Sequence, residues 1–175
     1  MDKSRDSSLL IRRAVEADWR AILSIYNHYI DVSTFTFDTH PFSVEDRREW
    51  FSVFNQPNGR YVLLIAEVDG QIKGYGCSQQ FRVKEAYETS VEVSVYVRHD
   101  FHAKGVANKI YDDLFESLKS VDVHRAYAGI TLPNEASIRL HENHGFKKVG
   151  QFKEVGRKFN KYWDVAWYEK EIKSL

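Results

Sequence analysis

The stretch 91–113, VEVSVYVRHDFHAKGVANKIYDD, constrains the fold of this chain more than any other. Valines alternate there with Glu92, Ser94 and Tyr96, which is the two-residue period of a β-strand. A polar segment follows, and the small-residue turn 104–107 then opens into a segment whose apolar residues recur at helical spacing. The first N–H groups of a helix have no partners within the helix, and the helix dipole favours an anion beside them. This strand, turn and helix are therefore predicted to bind a phosphate group.

Composition limits the classes of protein to consider. With 175 residues, of which 43% are hydrophobic and 29% charged, the sequence predicts one soluble globular domain over 9–175 after a polar, disordered N-terminus over 1–8. Because 25 basic residues balance 25 acidic ones, no nucleic-acid partner is expected. The single cysteine, Cys77, excludes an intrachain disulfide and fits a reducing compartment. Neither a membrane-spanning run nor a signal-peptide core is visible, so we expect a cytoplasmic protein without a membrane partner.

The predicted elements follow the order βααβββαβαββ, which indicates an α+β domain with one mixed sheet. Asp18 is predicted to cap the first helix, and Ser43 with Asp46 resembles a capping box at the start of the second. Asp69-Gly70 is a hairpin signal, and Asn134 is placed to cap the last helix. The strands are predicted at 9–15, 61–68, 71–81, 91–97, 124–130, 146–155 and 162–172, with the last two joined by the loop 156–161.

Several collinear blocks resemble the GCN5-related N-acetyltransferase (GNAT) superfamily, and within it the branch of phosphinothricin, methionine sulfoximine and L-amino acid N-acetyltransferases. The blocks are YNHYIDVSTFTFDTHPFS (26–43), FRVKEAY (81–87), TSVEVSVYV (89–97), PNEASIRLHENHGF (133–146) and KYWDVAWYEKE (161–171), together with the turn at 104–107. The resemblance implies a mostly antiparallel mixed sheet flanked by helices on both faces. It also implies direct acetyl transfer from acetyl-CoA to a small primary amine, and a homodimer.

The resemblance also implies where acetyl-CoA binds. The end of the strand at 95–97 matches the segment whose backbone bonds the pantetheine arm, and the turn matches the pyrophosphate loop. The family turn begins with Arg or Gln where this chain has His102, so we expect weaker CoA affinity because a neutral imidazole supplies no permanent charge. The implied cofactor-binding residues are Val95, Tyr96, Val97, Ala103, Lys104, Gly105, Val106, Ala107, Asn108, Asn134 and Asn143.

Two residues are candidates for catalysis. An aliphatic amine is mostly protonated at neutral pH and must lose a proton before it attacks, and Glu92 resembles the base of this family. An ordinary Glu pKa of about 4.3 lies far below that of an amine, so we expect a water relay or a raised pKa. Spacing alone also fits Glu92 as an outward-facing strand residue. His141 stands where many relatives have a Tyr that protonates the leaving thiolate; it is expected either to be that acid or to pack in the helix.

The acceptor site is implied by the block 81–87. The family pattern is close to Phe-Arg-x-Arg-Pro-Ala-Tyr, whereas this chain has Lys84 and Glu85 at the second Arg and the Pro. Lysine lacks the bidentate fork of arginine, so tight recognition of an anionic amino acid is less secure than in the family. The substrate-binding residues implied are Phe37, Arg82, Lys84, Glu85, Ala86, Tyr87, Glu92, Val93 and Ser94.

Other functions stay open at this point. The acidic residues Glu85, Glu88 and Glu92 are compatible with a polyamine acceptor, and a dipeptide or a protein N-terminus is a further alternative. A non-catalytic acyl-CoA sensor would bind the cofactor without turnover. The histidine pairs 99/102 and 141/144 have spacings that a metal could use, but no cysteine joins them, so no metal site is expected.

Overall fold

The computed structural model describes residues 9–101 and 105–173, and it confirms the α+β class and the order of elements. The strands are β1 (Leu9–Arg13), β2 (Leu63–Val68), β3 (Gln71–Gln80), β4 (Ser90–Val97), β5 (Arg125–Thr131), β6 (Lys147–Lys158) and β7 (Lys161–Glu171). The helices are α1 (Trp19–Val32), α2 (Arg48–Ser52), α3 (Val106–Leu118) and α4 (Glu135–Asn143). No helix in the part of the chain described here is long and apolar enough to cross a membrane.

The strands form one sheet in the order β1-β2-β3-β4-β5-β7-β6. All neighbours are antiparallel except β4 and β5, which run parallel. A parallel pair needs a crossover connection, and α3 supplies it. The sheet is therefore mostly antiparallel and mixed, as the resemblance implied.

Helices cover both faces of the sheet. Leu63 and Ile65 of β2 pack with Phe51 and the apolar side of α1, whereas Leu64 packs with Leu114 and the rest of α3. Successive strand residues point to opposite faces, so α1 and α2 lie on one side and α3 on the other, where α4 also packs. The six apolar residues that the sequence placed on one side of α3 are all buried: Val106, Ile110, Tyr111, Leu114, Phe115 and Leu118.

Glycine brings α3 close to the sheet. A Cβ added at Gly76 of β3 would lie 2.5 Å from Cγ2 of Ile110, closer than real Cβ atoms approach a neighbour. A glycine is therefore needed at this position for the helix to pack this closely on the strand. The contact holds α3 over β3 and β4, which places the N-terminus of the helix beside the end of β4.

Two predictions about helix starts need correction. The Asp18 carboxylate accepts hydrogen bonds from Arg12 at 2.7 and 3.0 Å and from the Val15 N–H at 2.8 Å, so it does not cap α1. The charged guanidinium offers this carboxylate a stronger partner than a backbone N–H does. Ser43 and Asp46 do form the reciprocal bonds of a capping box, at 2.8 and 3.2 Å. They close a turn, however, and α2 begins only at Arg48.

The last hairpin is tighter than predicted. β6 continues to Lys158, and the turn consists of Phe159 and Asn160, whose φ angles are 54° and 57°. Two consecutive residues with positive φ form the type of turn that matches the twist of a two-stranded ribbon. The predicted loop 156–161 is therefore mostly strand. β6 is exposed along nearly its whole length, so no hydrophobic alternation marks its end in the sequence.

Candidate active site

The parallel strands β4 and β5 start side by side and then separate. Their pairing covers only Ser90 with Arg125, Val91 with Ala126 and Glu92 with Tyr127. β4 stays paired with β3 on its other side as far as its last residue. From residue 93 onward, the backbone groups of β4 that face β5 have no strand partner, which leaves an open edge to which an extended ligand can bond.

One cavity, of about 740 Å³, lies where α3 and α4 flank this split. We call it the α3/α4 cavity. Eight of the predicted cofactor-binding residues line it: Val95, Tyr96, Val97, Gly105, Ala107, Asn108, Asn134 and Asn143. Val106 does not line it, because the residue is only 3% exposed and packs in the core with Ile110 and Ala66; a role of its backbone in binding the cofactor stays a prediction. Ala103 and Lys104, with His102, lie outside the described residues.

The N-terminus of α3 opens into this cavity. Gly105 has a φ of 93°, a left-handed conformation that disfavours any residue with a Cβ. The first helical hydrogen bond in this turn runs from the Lys109 N–H to the Gly105 C=O at 2.9 Å, and no side chain of residues 9–101 or 105–173 caps α3. The uncapped N–H groups ahead of it suit a phosphate. The open edge of β4 can in addition bond an amide-rich arm. The residues present therefore fit a coenzyme A group.

A second cavity, of about 620 Å³, lies on the other face, under the α1–α2 segment. We call it the α1/α2 cavity. Glu92 lines it, as do the predicted substrate residues Phe37, Arg82, Val93 and Ser94. The two cavities share six lining residues and therefore meet at the split between β4 and β5: Phe35, Val93, Ser94, Tyr96, Gly129 and Thr131.

The comparisons with known proteins agree with this geometry. The Acetyltransferase (GNAT) domain family matches residues 11–167. This chain belongs to the GNAT acetyltransferases. It is 47% identical to the phosphinothricin N-acetyltransferase of Streptomyces coelicolor over 93% of the chain and 95% of that protein. It is 33% identical to the L-methionine sulfoximine/L-methionine sulfone acetyltransferase of Pseudomonas paraeruginosa, over 93% and 94%. The phosphinothricin acetyltransferase structure from Sinorhizobium meliloti, solved with acetyl-CoA, superposes with a TM-score of 0.88 at 27% identity, over 94% and 89%.

In this acetyltransferase Glu92 lines the α1/α2 cavity and directly precedes Val93 and Ser94, which line both cavities. Its side chain is on the α1/α2 side of β4, opposite Gln79 of β3. Burial raises the pKa of the Glu92 carboxyl, and the positive charge of Arg82 opposes that rise. A raised pKa makes a carboxylate a better proton acceptor, because its conjugate acid is then less acidic.

His141 is 4% exposed and is held from both ring nitrogens. Nδ1 lies 2.8 Å from the Ser137 carbonyl oxygen, which only accepts hydrogen bonds, so Nδ1 carries the proton. Nε2 then accepts the hydrogen bond from the Tyr111 hydroxyl at 3.0 Å. Burial lowers the pKa of His141 to about 4, so the ring is neutral at pH 7. In this state His141 has no proton to direct into the α3/α4 cavity, although it lines it.

The α1/α2 cavity contains two unusual nitrogen atoms. Within residues 9–101 and 105–173, the buried side-chain N and O atoms that lack a hydrogen-bond partner are Nε of Arg47 and Nε1 of Trp167. Both residues line this cavity. A buried donor left without an acceptor costs on the order of 1–3 kcal/mol. The α1/α2 cavity thus contains two unsatisfied donors, which an oxygen-bearing ligand can pair.

The block 81–87 contributes less to the cavity than its resemblance implied. Arg82 lines the α1/α2 cavity, with its guanidinium 4.5 Å from the centre of the Phe81 ring. Lys84, Glu85, Ala86 and Tyr87 are exposed and lie outside the lining of both cavities. A contact of these four residues with the substrate stays a prediction.

Much of the α1/α2 cavity wall was not foreseen from the sequence. Tyr26, Asp38, Arg47, Trp50, Phe152, Val155 and Trp167 line it as well. Asp38 is at the centre of one group: it accepts hydrogen bonds from the Tyr26 hydroxyl and, at 2.7 Å, from Arg47. Of the residues of α2 only Phe51 is buried, whereas Trp50 lines the cavity. For the residues of β6 and β7 the sequence offers no local signal.

The hairpin β6–β7 also anchors the loop that follows α1. Nζ of Lys158 donates a hydrogen bond to the Thr36 carbonyl at 2.9 Å, and Lys158 is only 5% exposed. The ring of Phe37 occupies the space above Gly156, where a Cβ would lie 2.1 Å from Cε2 of the ring. Phe35, Thr36 and Phe37 line the α1/α2 cavity, so the shape of this cavity depends on a strand more than 100 residues away.

Proposed function

We propose that this GNAT enzyme acetylates the primary amine of a small amino-acid-like acceptor by direct transfer within a ternary complex. Acetyl-CoA would bind in the α3/α4 cavity and supply the acetyl thioester, and the amine would bind in the α1/α2 cavity. Relatives named for phosphinothricin and methionine sulfoximine acetylation support the acceptor class. Structures of relatives solved with acetyl-CoA support acetyl-CoA as the co-substrate.

The observation that carries the proposal is the junction between the cavities. An amine on one face and a thioester on the other can come into contact only where the sheet is open, and β4 and β5 separate at that level. The alternative of an acetyl-cysteine intermediate lacks support. The Cys77 thiol is 1% exposed, contacts the Ser94 hydroxyl at 3.3 Å, and has its pKa raised to about 11 by burial, so it is not a thiolate at neutral pH.

Glu92 is the proposed base. A carboxylate beside the junction with a raised pKa accepts the proton of the ammonium group, through a water molecule where the two do not touch. Unpaired N–H groups of β4 near residues 95–97 are the proposed donors to the thioester oxygen as it gains negative charge. We assign His141 a positioning role, because its neutral ring accepts a hydrogen bond from the hydroxyl of Tyr111 on α3, which also lines the α3/α4 cavity. A thiol with a pKa of about 8.5 can leave without an acid.

The charges of the α1/α2 cavity favour an amino acid over a polyamine. Glu85 and Glu88, which kept the polyamine alternative open, are exposed and do not line the cavity. Two arginines and two carboxylates line it instead: Arg47, Arg82, Asp38 and Glu92. A mixed set of this kind complements a zwitterion, whereas a polyamine needs an excess of negative charge.

A homodimer in the cytoplasm is part of the proposal. Of the aromatic run in β7, Tyr168 is core and Trp167 lines a cavity, while Tyr162 is 56% exposed. On the neighbouring edge strand β6, Val149, Phe152 and Val155 are also more than half exposed. Exposed apolar side chains of this kind are available to an interface with a second copy of the chain. Light scattering after size exclusion that finds only monomer at micromolar concentration would reject the dimer.

The proposed function is tested by release of free thiol from acetyl-CoA against a panel of amines: the amino acids, methionine sulfoximine, phosphinothricin and spermidine. We expect turnover on the sulfoximine or phosphinothricin. Turnover on spermidine alone would keep the acetyl transfer and reject the acceptor class. Calorimetric binding of acetyl-CoA with no turnover on any amine would favour the sensor.

A further inference from the structure

We propose that Trp167 determines acceptor specificity: its indole N–H and the Arg82 guanidinium together bind the carboxylate of the amino-acid acceptor. The inference rests on the proposed function and assigns Trp167 a role in binding the acceptor. It follows from the position of the ring, from the missing partner of its nitrogen, and from the charge beside it.

The sheet register places Trp167 across the split from the proposed base. Glu92 pairs with Tyr127 of β5, and two residues further along β5 Gly129 pairs with Trp167 of β7. The Trp167 ring lies directly over Gly129, where an added Cβ would be 3.3 Å from Cη2 and Cζ2 of the ring. Gly129 lines both cavities, so the indole lies on the wall at the junction where the amine must react.

The indole nitrogen of Trp167 differs from those of two other tryptophans. Trp50 donates to Oε1 of Gln79 at 3.2 Å, and Trp163, on the same strand as Trp167, donates to the Lys158 carbonyl at 2.9 Å. The Trp167 nitrogen is buried and finds no acceptor in the described part of the chain. Buried indole N–H groups usually have a partner, so the missing oxygen is that of a ligand.

A positive charge lies next to this donor. The Arg82 guanidinium is 5.8 Å from the centre of the Trp167 ring and 4.5 Å from that of Phe81. Phe81 in turn stacks on Tyr127 at 4.3 Å, so aromatic rings pack on one side of the guanidinium. Arg82 is exposed and follows the end of β3, which leaves it free to shift and admit an oxygen to the shielded indole N–H.

The other arginine of the cavity is already committed. Arg47 bonds Asp38 at 2.7 Å and lies 3.8 Å over the ring of Phe42, so its charge is compensated. Arg82 forms no salt bridge with the residues described in the structure. A zwitterion therefore finds complementary partners with its amine toward Glu92 and its carboxylate toward Arg82 and Trp167.

The test is Trp167→Phe, which removes the N–H and keeps an aromatic ring, with Trp163→Phe as the matched control on the same strand. Steady-state kinetics use L-methionine sulfoximine and the same amine without its carboxylate. For Trp167→Phe we expect the KM of the amino acid to rise roughly tenfold or more, with the KM of acetyl-CoA unchanged. The same substitution should leave the KM of the decarboxylated amine nearly unchanged, and Trp163→Phe should alter neither.

The possible outcomes distinguish failure of the Trp167 inference from failure of the proposed function. If Trp167→Phe weakens both amines equally, the ring acts only by packing and the inference is overturned. If it weakens neither while the wild-type enzyme acetylates the sulfoximine, the inference also fails and the proposed function stands. If the wild-type enzyme acetylates no amino acid of the panel, the acceptor class itself is wrong and the inference falls with it.

Discussion

The two cavities of this enzyme are built in different ways. The α3/α4 cavity is formed largely by backbone: the open edge of β4, a left-handed glycine and the uncapped end of a helix, all three of which lie within one stretch of sequence. The α1/α2 cavity is formed by side chains from α1, the loop after it, α2, β3, β4, β6 and β7. The difference teaches that main-chain atoms can bind a group that does not vary, such as the proposed coenzyme A. Substitution of side chains in the other cavity can then change which amine is accepted.

The largest expected effect is at Glu92, which lies beside the junction of the two cavities. Glu92→Gln should lower kcat by ~10²–10⁴-fold, because the amide cannot accept a proton, and it should leave the KM of acetyl-CoA nearly unchanged. Glu88→Gln, in the exposed segment before β4, is the matched control and should have no effect. The measurement is steady-state thiol release at saturating amine. A loss of kcat below about threefold would remove Glu92 as the base.

On the acceptor side, adding a single methyl group should affect the α1/α2 cavity and leave the α3/α4 cavity unchanged. Gly156→Ala places a Cβ where it would be 2.1 Å from the Phe37 ring, so the ring must move within the α1/α2 cavity. Overpacking of this kind costs about 1–3 kcal/mol, so we expect the KM of the amine to rise roughly tenfold while that of acetyl-CoA is unaffected. Gly150→Ala on the same strand is the control, since a Cβ there meets nothing within 4 Å. An equal rise in both KM values would show that the cavities are not independent.

The opposite pattern is expected at the cofactor side. Gly105→Ala forces a residue with a Cβ into a φ of 93°, which costs about 1–2 kcal/mol. The turn would relax away from the phosphate-binding geometry, so the KM of acetyl-CoA should rise roughly 5- to 30-fold with the preference among amines unchanged. Dissociation constants for CoA from calorimetry check this directly. A change in amine preference instead would contradict the division of labour between the cavities.

The sequence predicted the residues of the α3/α4 cavity better than those of the α1/α2 cavity. The strand, glycine turn and helix at 90–118 could be read because their periodicity and the uncapped helix end are local properties. Glu92 could be placed because it belongs to that stretch. Trp167 and Asp38 could not, because a side chain becomes a cavity wall only through strand pairing and loop packing between distant segments, which no short pattern encodes. The Asp18 cap failed for a related reason: its partner Arg12 is on another element.

The smallest effect on activity is expected at His141. Its neutral ring accepts the Tyr111 hydroxyl and donates to Ser137, so a side chain that also accepts at this position should preserve the arrangement. We therefore expect His141→Gln to change kcat at pH 7 by less than about threefold. A loss of 100-fold or more would instead restore His141 as the acid for the thiolate.

The pH dependence of stability provides an independent test of whether the His141 ring is neutral in the folded protein. The pKa of His141 is about 4 in the folded protein and near 6.5 when the chain is unfolded. Between these values the unfolded chain binds the additional proton, so the contribution of His141 is fully present above pH 6.5 and is lost as the pH falls toward 4. The stability that is lost is on the order of 3 kcal/mol.

Chemical denaturation from pH 7 to 4 should therefore show a shallower loss of stability in His141→Gln than in the wild type. His40→Gln, at an exposed position in the loop after α1, should leave the wild-type slope unchanged. Identical slopes in all three proteins would mean that the His141 ring is protonated within the fold. The positioning role of His141 depends on a neutral ring and would then be rejected. The claim that the α3/α4 cavity acts through main-chain groups, without an acid, would be rejected with it.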